Sequence, residues 1–168
     1  ADWAQEGATS RMGIVAIPAA VGSARIGKRD RGVHTERFTD AVVDLVEAGV
    51  INGTRKERNR GKIVAAFMMG TRRLYDFVRD NPMVEMRSVD FTNDTHVIRS
   101  FSRMVANNPA TAVDLSGQVV ADSIGHPPHS RVGRQMDLIR AAALAAHGRA
   151  GLARTRGPPA VRARPRPA

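Results

Sequence analysis

The chain contains no cysteine and few aromatic residues. Its 168 residues include one Trp, one Tyr and five Phe. The absence of cysteine excludes disulfides, thiolate catalysis and cysteine-ligated metals, and so few scattered aromatic side chains do not form a base-stacking surface. No apolar run approaches the roughly 18 residues that a bilayer crossing requires, and residues 1–10 lack the basic and apolar regions of a signal peptide. We therefore expect a cytoplasmic protein without membrane association.

Positive charge is concentrated near the end of the chain. Lys and Arg total 26 against 16 Asp and Glu, which gives a net charge of +10, and only three of the basic residues are lysines. Residues 147–168 contain six arginines and no acid, so the preceding part carries only +4. An ordinary globular enzyme tolerates that charge, and the net charge alone therefore does not indicate nucleic-acid binding.

The composition divides the chain into a domain over residues 1–146 and a tail over residues 147–168. Arg, Ala, Pro and Gly supply 18 of the 22 tail residues. Such a segment has little apolar surface to bury and contains prolines that oppose regular pairing, so we expect it to be disordered. Three interpretations of the tail stay open: an arginine-rich arm that binds phosphates nonspecifically, a segment without function, or a GC-rich gene read in a shifted frame.

Short apolar segments alternate with amphipathic segments before the tail. Predicted strands cover residues 11–17, 62–69, 84–89, 104–106 and 112–120, and predicted helices cover residues 39–48, 71–79 and 137–146. We expect Thr39 and Thr71 to cap the first two helices and Gly49 to end the first. The nearly continuous apolar run at 62–69 is typical of a strand buried on both faces. The alternation predicts an α/β fold with an open, mostly parallel sheet and flanking helices.

A glutamate ahead of the first predicted helix is the main candidate for chemistry. Residues 32–40 read GVHTERFTD, and we predict a turn that places Glu36 between a glycine and a helix start. Backbone N–H groups and the helix dipole stabilise a carboxylate or a developing oxyanion at such a position. The alternative is that an acid stands there only because acids are favoured near helix N-termini.

Other motifs for chemistry are weak. His34 and Glu36 have no second histidine nearby, so we expect no metal site, and no serine stands in a nucleophile-elbow motif. The sequence has no Walker or GxGxxG motif, which disfavours nucleotide hydrolysis and dinucleotide binding. Glycines near strand ends predict a phosphate or cofactor cradle. These glycines are Gly13, Gly61, Gly70, Gly117, Gly125 and Gly133.

Three long motifs carry a resemblance to a known family. They are GVHTERFTDAVVDLVEAGVING at residues 32–53, GKIVAAFMMGTRRLYDFVRDNPMVEMRSVD at residues 61–90 and VDLSGQVVADSIG at residues 113–125. Together they resemble the acetyl-CoA hydrolase/transferase family, the acetate and 4-hydroxybutyrate CoA-transferases. The similarity runs from about Gly7 to about Ala146 and resembles the front part of the family's C-terminal domain. It implies an incomplete domain with the NagB/RpiA/CoA-transferase-like fold, lacking the N-terminal domain and the rest of the C-terminal one.

In that family the glutamate of the HTE motif is the nucleophile, so the resemblance implies that Glu36 is catalytic. Its carboxylate attacks an acyl-CoA thioester, and the returning thiolate forms a glutamyl-CoA thioester from which a carboxylate takes the CoA. Water as acceptor gives hydrolysis instead. The implied substrates are coenzyme A, as acyl-CoA, and a short-chain carboxylate such as acetate, with no metal. The implied CoA-binding residues are Gly117, Gly125, Gly133 and Gln135.

The sequence departs from the family pattern near these positions. Arg131 and Arg134 replace glycines of the CoA loop, which removes positive-φ freedom and close backbone approach. Arg37 replaces an apolar residue beside the nucleophile. Pro109 interrupts an expected apolar strand and lacks a donor for the ladder.

Three functions stay open at this point. The first is a CoA-transferase segment, acting as a homo-oligomer or with a chain that supplies the missing N-terminal domain. The second is an inactive fragment of such an enzyme. The third is an arginine-tailed protein that binds nucleic acid without sequence specificity.

Overall fold

Six parallel strands form the central sheet. The computed structural model describes residues 5–12, 29–110, 112–121 and 134–153. The strands of this sheet are β1 (Thr9–Met12), β2 (Gly32–Phe38), β3 (Ile63–Met68), β4 (Val84–Met86), β5 (Met104–Pro109) and β8 (Arg149–Ala153), and a separate pair is formed by β6 (Ala112–Val113) and β7 (Val119–Val120). The sheet order is β4-β3-β2-β1-β5-β8, with every pair parallel. All six strands therefore end at the same edge of the sheet, the edge at which α/β proteins commonly bind ligands.

Helices pack on both faces of this sheet. They are α1 (Asp40–Glu47), α2 (Arg72–Val78), α3 (Val89–Thr92), α4 (Thr95–Arg99) and α5 (Arg134–Leu144). One apolar cluster joins α1 and α2 to β2 and β3, and a second joins α4 and α5 to β5. Ser10 pairs with Val33 on one side and with Val105 on the other, so these residues share one face of the sheet. Because side chains alternate along a strand, Met104 and Ala106 of the second cluster lie on the opposite face from Val33 of the first. The predicted α/β class is confirmed.

The segment predicted as a turn before the first helix is a central strand instead. β2 spans seven residues between β1 and β3, and all but Arg37 are buried. The prediction was wrong because His34 and Glu36 are polar, and a buried strand is expected to be apolar. β2 nevertheless forms a buried strand because its backbone pairs with β1 and β3, and because His34 and Glu36 have polar partners.

The first two helices begin at the predicted threonines, but neither threonine side chain caps its own helix. Thr71 instead donates its hydroxyl to Oδ1 of Asp40 at 2.6 Å, which links the start of α2 to the start of α1. Gly49 follows α1 with a φ of 69°, a left-handed conformation that favours glycine, so the predicted helix stop is confirmed.

Three of the predicted strands differ clearly from the observed structure. The strand predicted at residues 84–89 covers only Val84–Met86, because α3 begins at Val89. β5 continues to Pro109. Its missing N–H is tolerated because, among the described residues, the pairing of β5 with β1 ends at Asn107 and Pro109 pairs with β8 alone. Residues 112–120 form not one strand but the antiparallel hairpin β6–β7. The turn at Gly117, with a φ of 88°, divides the run because only glycine adopts this conformation readily.

The predicted start of a disordered tail at His147 was also wrong. Residues 149–153 form β8, which pairs with β5 at five positions along the edge of the sheet. The prediction was based on composition, which shows few apolar side chains in this segment. An edge strand is held mainly by backbone pairing, and small residues such as Ala150 and Gly151 pair without steric conflict. Residues 154–168 lie outside the described part. In the described ranges, no helix is both long and apolar enough to cross a membrane.

Candidate active site

Glu36 lies near the carboxyl end of the central strand β2. It is the fifth of seven strand residues, and only 7% of its surface is exposed. Because strands alternate, Glu36 and His34 point to the same side of the sheet. An ionisable side chain at this depth requires hydrogen bonds or opposite charge, since burial of an uncompensated carboxylate is costly.

Arg11 and Asn93 contact this carboxylate. Nη2 of Arg11, on the neighbouring strand β1, lies 3.7 Å from Oε2 of Glu36. The side-chain amide of Asn93, just after α3, donates to the same oxygen at 3.3 Å. The pKa of Arg11 is lowered to about 10 by burial, an effect that Glu36 opposes and Arg37 increases. Arg11 is therefore protonated at neutral pH and supplies positive charge beside Glu36.

His34 is completely buried beside the same segment. Its Nε2 donates to the backbone carbonyl of Thr92 at 3.0 Å, and its ring packs against Phe91 and Phe101 at centroid distances of 6.0 and 5.0 Å. Burial, together with the nearby charge of Lys56, lowers the pKa of His34 to about 4. The imidazole is therefore neutral at pH 7, with its proton on Nε2 because the carbonyl only accepts.

Lys56 supports the opposite end of β2. Its ammonium group donates to the carbonyl of Val33 at 2.9 Å and of Lys62 at 2.8 Å, and it lies 5.7 Å from the ring centroid of Phe101. Burial lowers the pKa of Lys56 to about 8, an effect that Glu85 partly opposes. Lys56 is thus mainly charged at neutral pH, and this charge disfavours protonation of His34.

A cleft of about 490 Å³ opens next to Asn93. Its other lining residues are Val89, Asp90, Asp94, Thr95 and Asp137. Three aspartates make this cleft unsuitable for the phosphates of CoA on electrostatic grounds. Among the described residues, no group of three or more His, Asp or Glu side chains is arranged to hold a metal ion.

The other predicted site residues are dispersed or undescribed. Gly117 lies in the exposed turn of the β6–β7 hairpin, where Asp114 accepts hydrogen bonds from the backbone of Ser116 and Gln118. Gln135 lies half-buried in the first turn of α5. Gly125 and Gly133 are outside the described residues.

Arg11 and Asn93 were not predicted as partners of Glu36. Arg11 had a local signal, since an arginine within an otherwise apolar predicted strand is seldom buried without a partner. Asn93 had none, because it lies in a polar segment 57 positions from Glu36 and only the packing of α3 on β2 brings the two together.

Comparison with known proteins identifies close relatives. Residues 70–155 match the acetyl-CoA hydrolase/transferase C-terminal domain. The chain is 48% identical over 149 residues to 4-hydroxybutyrate coenzyme A transferase from Clostridium kluyveri, an alignment that covers 89% of this chain and 35% of that protein. Any stretch of this length within the chain includes Glu36, so the similarity extends over β2. The domain match also continues past Ala146, where we had expected the resemblance to end.

Solved structures give the same result. RipA from Yersinia pestis superposes with a TM-score of 0.80 at 33% identity, covering 90% of this chain and 34% of that one. The 4-hydroxybutyrate CoA-transferase from Porphyromonas gingivalis superposes with a TM-score of 0.74 at 36% identity, covering 87% and 34%. The chain thus spans about a third of the length of these relatives. The resemblance and the CoA-transferase-like fold are confirmed, and the chain belongs to the acetyl-CoA hydrolase/transferase family.

Proposed function

We propose that this chain carries the nucleophile of a CoA-transferase, and that Glu36 is that nucleophile. The observation that carries the proposal is the buried carboxylate of Glu36 held by Arg11 and Asn93. A carboxylate nucleophile must be ionised and oriented before the substrate arrives. Arg11 supplies a positive charge beside the carboxylate, and the amide of Asn93 orients it by fixing the position of Oε2.

The proposed reaction begins with an acyl exchange. An oxygen of Glu36 attacks the carbonyl carbon of an acyl-CoA, the C–S bond breaks, and the thiolate of CoA leaves with the bonding electrons. The product is an acyl-glutamyl anhydride. The thiolate then attacks the side-chain carbonyl carbon of Glu36 and displaces the acyl group as a free carboxylate, which leaves a glutamyl-CoA thioester.

The second half of the reaction reverses these steps with a different acid. The acceptor carboxylate attacks the glutamyl thioester, releases the thiolate and forms a new anhydride. Attack by the thiolate on the acceptor's carbonyl then yields the new acyl-CoA and free Glu36. The Asn93 amide stays beside the reacting carbonyl, where a preorganised donor stabilises each tetrahedral oxyanion.

The proposed substrates are acyl-CoA and a short-chain carboxylate such as acetate. Relatives described as 4-hydroxybutyrate and butyryl-CoA:acetate CoA-transferases support this substrate class. Gly117, Gly125, Gly133 and Gln135 are proposed contacts for CoA, on the resemblance of their motifs. Because the chain spans about a third of its relatives, the proposed assembly is a homo-oligomer or a complex with a chain that supplies the N-terminal domain, in the cytoplasm.

The test is chemical trapping on the full chain. The protein is incubated with acetyl-CoA, quenched, digested and analysed by peptide mass spectrometry. We expect an acyl or CoA adduct on the peptide that contains Glu36, and we expect Glu36→Gln to remove it. Glu47→Gln is the matched control, because Glu47 is an exposed carboxylate of α1 and its loss should leave the adduct intact.

The same experiment decides the second candidate, an inactive fragment. The specific observation in its favour is the short span of the chain relative to its relatives. A protein that melts cooperatively yet forms no adduct on Glu36 would contradict independent catalysis and favour the inactive fragment.

A further inference from the structure

Two buried hydrogen-bond donors near Glu36 have no acceptor among the residues that the structure describes. Asn108 on β5 is only 3% exposed, and its Nδ2 has no partner. Nε of Arg11 is buried and likewise lacks one, although Nη2 of the same side chain faces Glu36. A buried donor without an acceptor loses its hydrogen bonds to water and gains none in return, so native proteins rarely leave one unpaired without a reason.

The register of the sheet brings these donors to one place. β1 lies between β2 and β5, and Arg11 pairs with Ala106. Asn108 is two residues beyond Ala106, so it shares the sheet face of Arg11 and lies diagonally beside it. Arg11 therefore stands between Glu36 on one side and Asn108 on the other, at the carboxyl edge of three adjacent strands.

The chemistry of these two unpaired donors indicates the class of ligand that fits them. An unpaired guanidinium N–H and an unpaired amide N–H both require an acceptor, and the guanidinium adds positive charge. A carboxylate supplies two acceptor oxygens and the complementary negative charge. The acidic cleft beside Asn93 does not meet this requirement, because its own aspartates repel an anion.

We propose that Arg11 and Asn108 form the binding site for the carboxylate of the acceptor acid. This inference rests on the proposed function of Glu36 and assigns the second substrate of the same reaction. Acceptor transfer requires an oxygen of the acceptor carboxylate to reach the carbonyl carbon of the Glu36 thioester. Arg11 lies between Glu36 and Asn108, so its positive charge holds the negatively charged acceptor beside that carbon.

The assignment also gives Arg11 two separate contacts in the reaction. Nη2 faces Glu36, while Nε and the Asn108 amide hold one oxygen of the incoming acid. The other oxygen attacks the glutamyl-CoA thioester, the C–S bond breaks, and the thiolate leaves with the electron pair. No proton is transferred and no further reactant is needed.

The test is an acetate titration of the full, isotope-labelled chain, followed by NMR. We expect saturable shifts of the Asn108 side-chain amide and of the Arg11 Nε–H signal, with sodium chloride at equal ionic strength producing no such shift. Absence of acetate-induced shifts at both groups would overturn the site. Equal shifts with chloride would also overturn it, because the site would then be a general anion site.

Two variants separate binding from folding. Asn108→Ala and Arg11→Lys should each weaken acetate binding by about tenfold or more, since a hydrogen bond to a charged group is worth about 1.5–3 kcal/mol. Arg11→Lys keeps the charge but removes the Nε donor, so it remains informative if Asn108→Ala fails to fold. Arg72→Met is the control, because Arg72 is an exposed arginine of α2 and should bind acetate as the unmodified chain does.

Failure of this site is distinguishable from failure of the proposed function. The Glu36 adduct forms from acetyl-CoA without an acceptor acid, whereas the acetate shifts require no turnover. An adduct without acetate shifts would overturn the acceptor site alone. Acetate shifts without an adduct would support the site while contradicting independent catalysis by this chain.

Discussion

The side-chain amide of Asn93 lies 3.3 Å from Oε2 of Glu36, although 57 positions separate the two residues. The preceding residue, Thr92, accepts a hydrogen bond from His34, which is two positions before Glu36 on β2. The last residue of α3 and the residue that follows it are thus tied to alternate residues of one strand. A displacement of this segment would therefore change the Glu36 contact and the His34 contact together.

Removing the Asn93 amide should slow the reaction at Glu36. We expect Asn93→Ala to reduce the rate of adduct formation from acetyl-CoA by about 100-fold, since loss of one preorganised oxyanion donor typically costs 10²–10³. Asn93→Asp should be at least as damaging because it places a second negative charge against Oε2. Rapid-quench mass spectrometry measures the rate. An unchanged rate in a stably folded Asn93→Ala protein would contradict the role of this amide.

Protonation of His34 should destabilise the fold below neutral pH. The pKa of His34 is about 4 in the folded chain, against about 6.5 in an unfolded one. Between these values the unfolded state holds the proton and the folded state does not, so stability falls as pH falls. The difference between the two pKa values corresponds to about 3 kcal/mol, reached near pH 4.

The measurement is the free energy of unfolding of the unmodified chain and of His34→Phe between pH 7 and pH 4. The phenylalanine keeps an aromatic ring but does not titrate, so the difference between the two proteins should narrow by about 3 kcal/mol at the acidic end. A constant difference between the unmodified chain and His34→Phe would contradict a depressed pKa.

A methyl group at Gly32 should disturb the support of β2. A Cβ there would lie 2.7 Å from Cδ of Lys56 and close to its Cγ. Lys56 cannot move away easily, because its ammonium group is held by the carbonyls of Val33 and Lys62. We expect Gly32→Ala to cost about 1–3 kcal/mol of unfolding free energy, as overpacked positions do.

Gly49→Ala is the matched comparison for this effect. Gly49 has a positive φ of 69° but open space around it, so alanine there should cost only the conformational strain of about 1 kcal/mol. Urea denaturation measures both variants. A Gly32→Ala cost no larger than that of Gly49→Ala would show that Lys56 adapts to the added methyl group.

The sequence pattern predicted the alternation of strands and helices better than the buried polar residues of β2. The strand β3 and the stop at Gly49 depend on local properties, and both were identified, although only residues 63–65 of β3 are buried and Phe67 is exposed. β2 was missed because its polar residues are stabilised by side chains from distant segments. Glu36 was found through the motif it resembles, whereas Asn93 and Asn108 depend on tertiary packing that one sequence does not reveal.

Truncation should separate β8 from the arginine-rich residues that follow it. Deleting residues 147–168 removes β8 and its pairing with Val105 to Pro109, and it exposes the apolar cluster on which Ala150 packs. With net hydrogen-bond contributions of about 0.5–1.5 kcal/mol each, we expect a loss of about 2–4 kcal/mol. Deleting only residues 154–168 keeps β8 and its pairing with β5, so it should lower the melting temperature less than the longer truncation does. Equal melting temperatures for the two truncations would contradict a stabilising role for β8, and calorimetry of both proteins decides between these results.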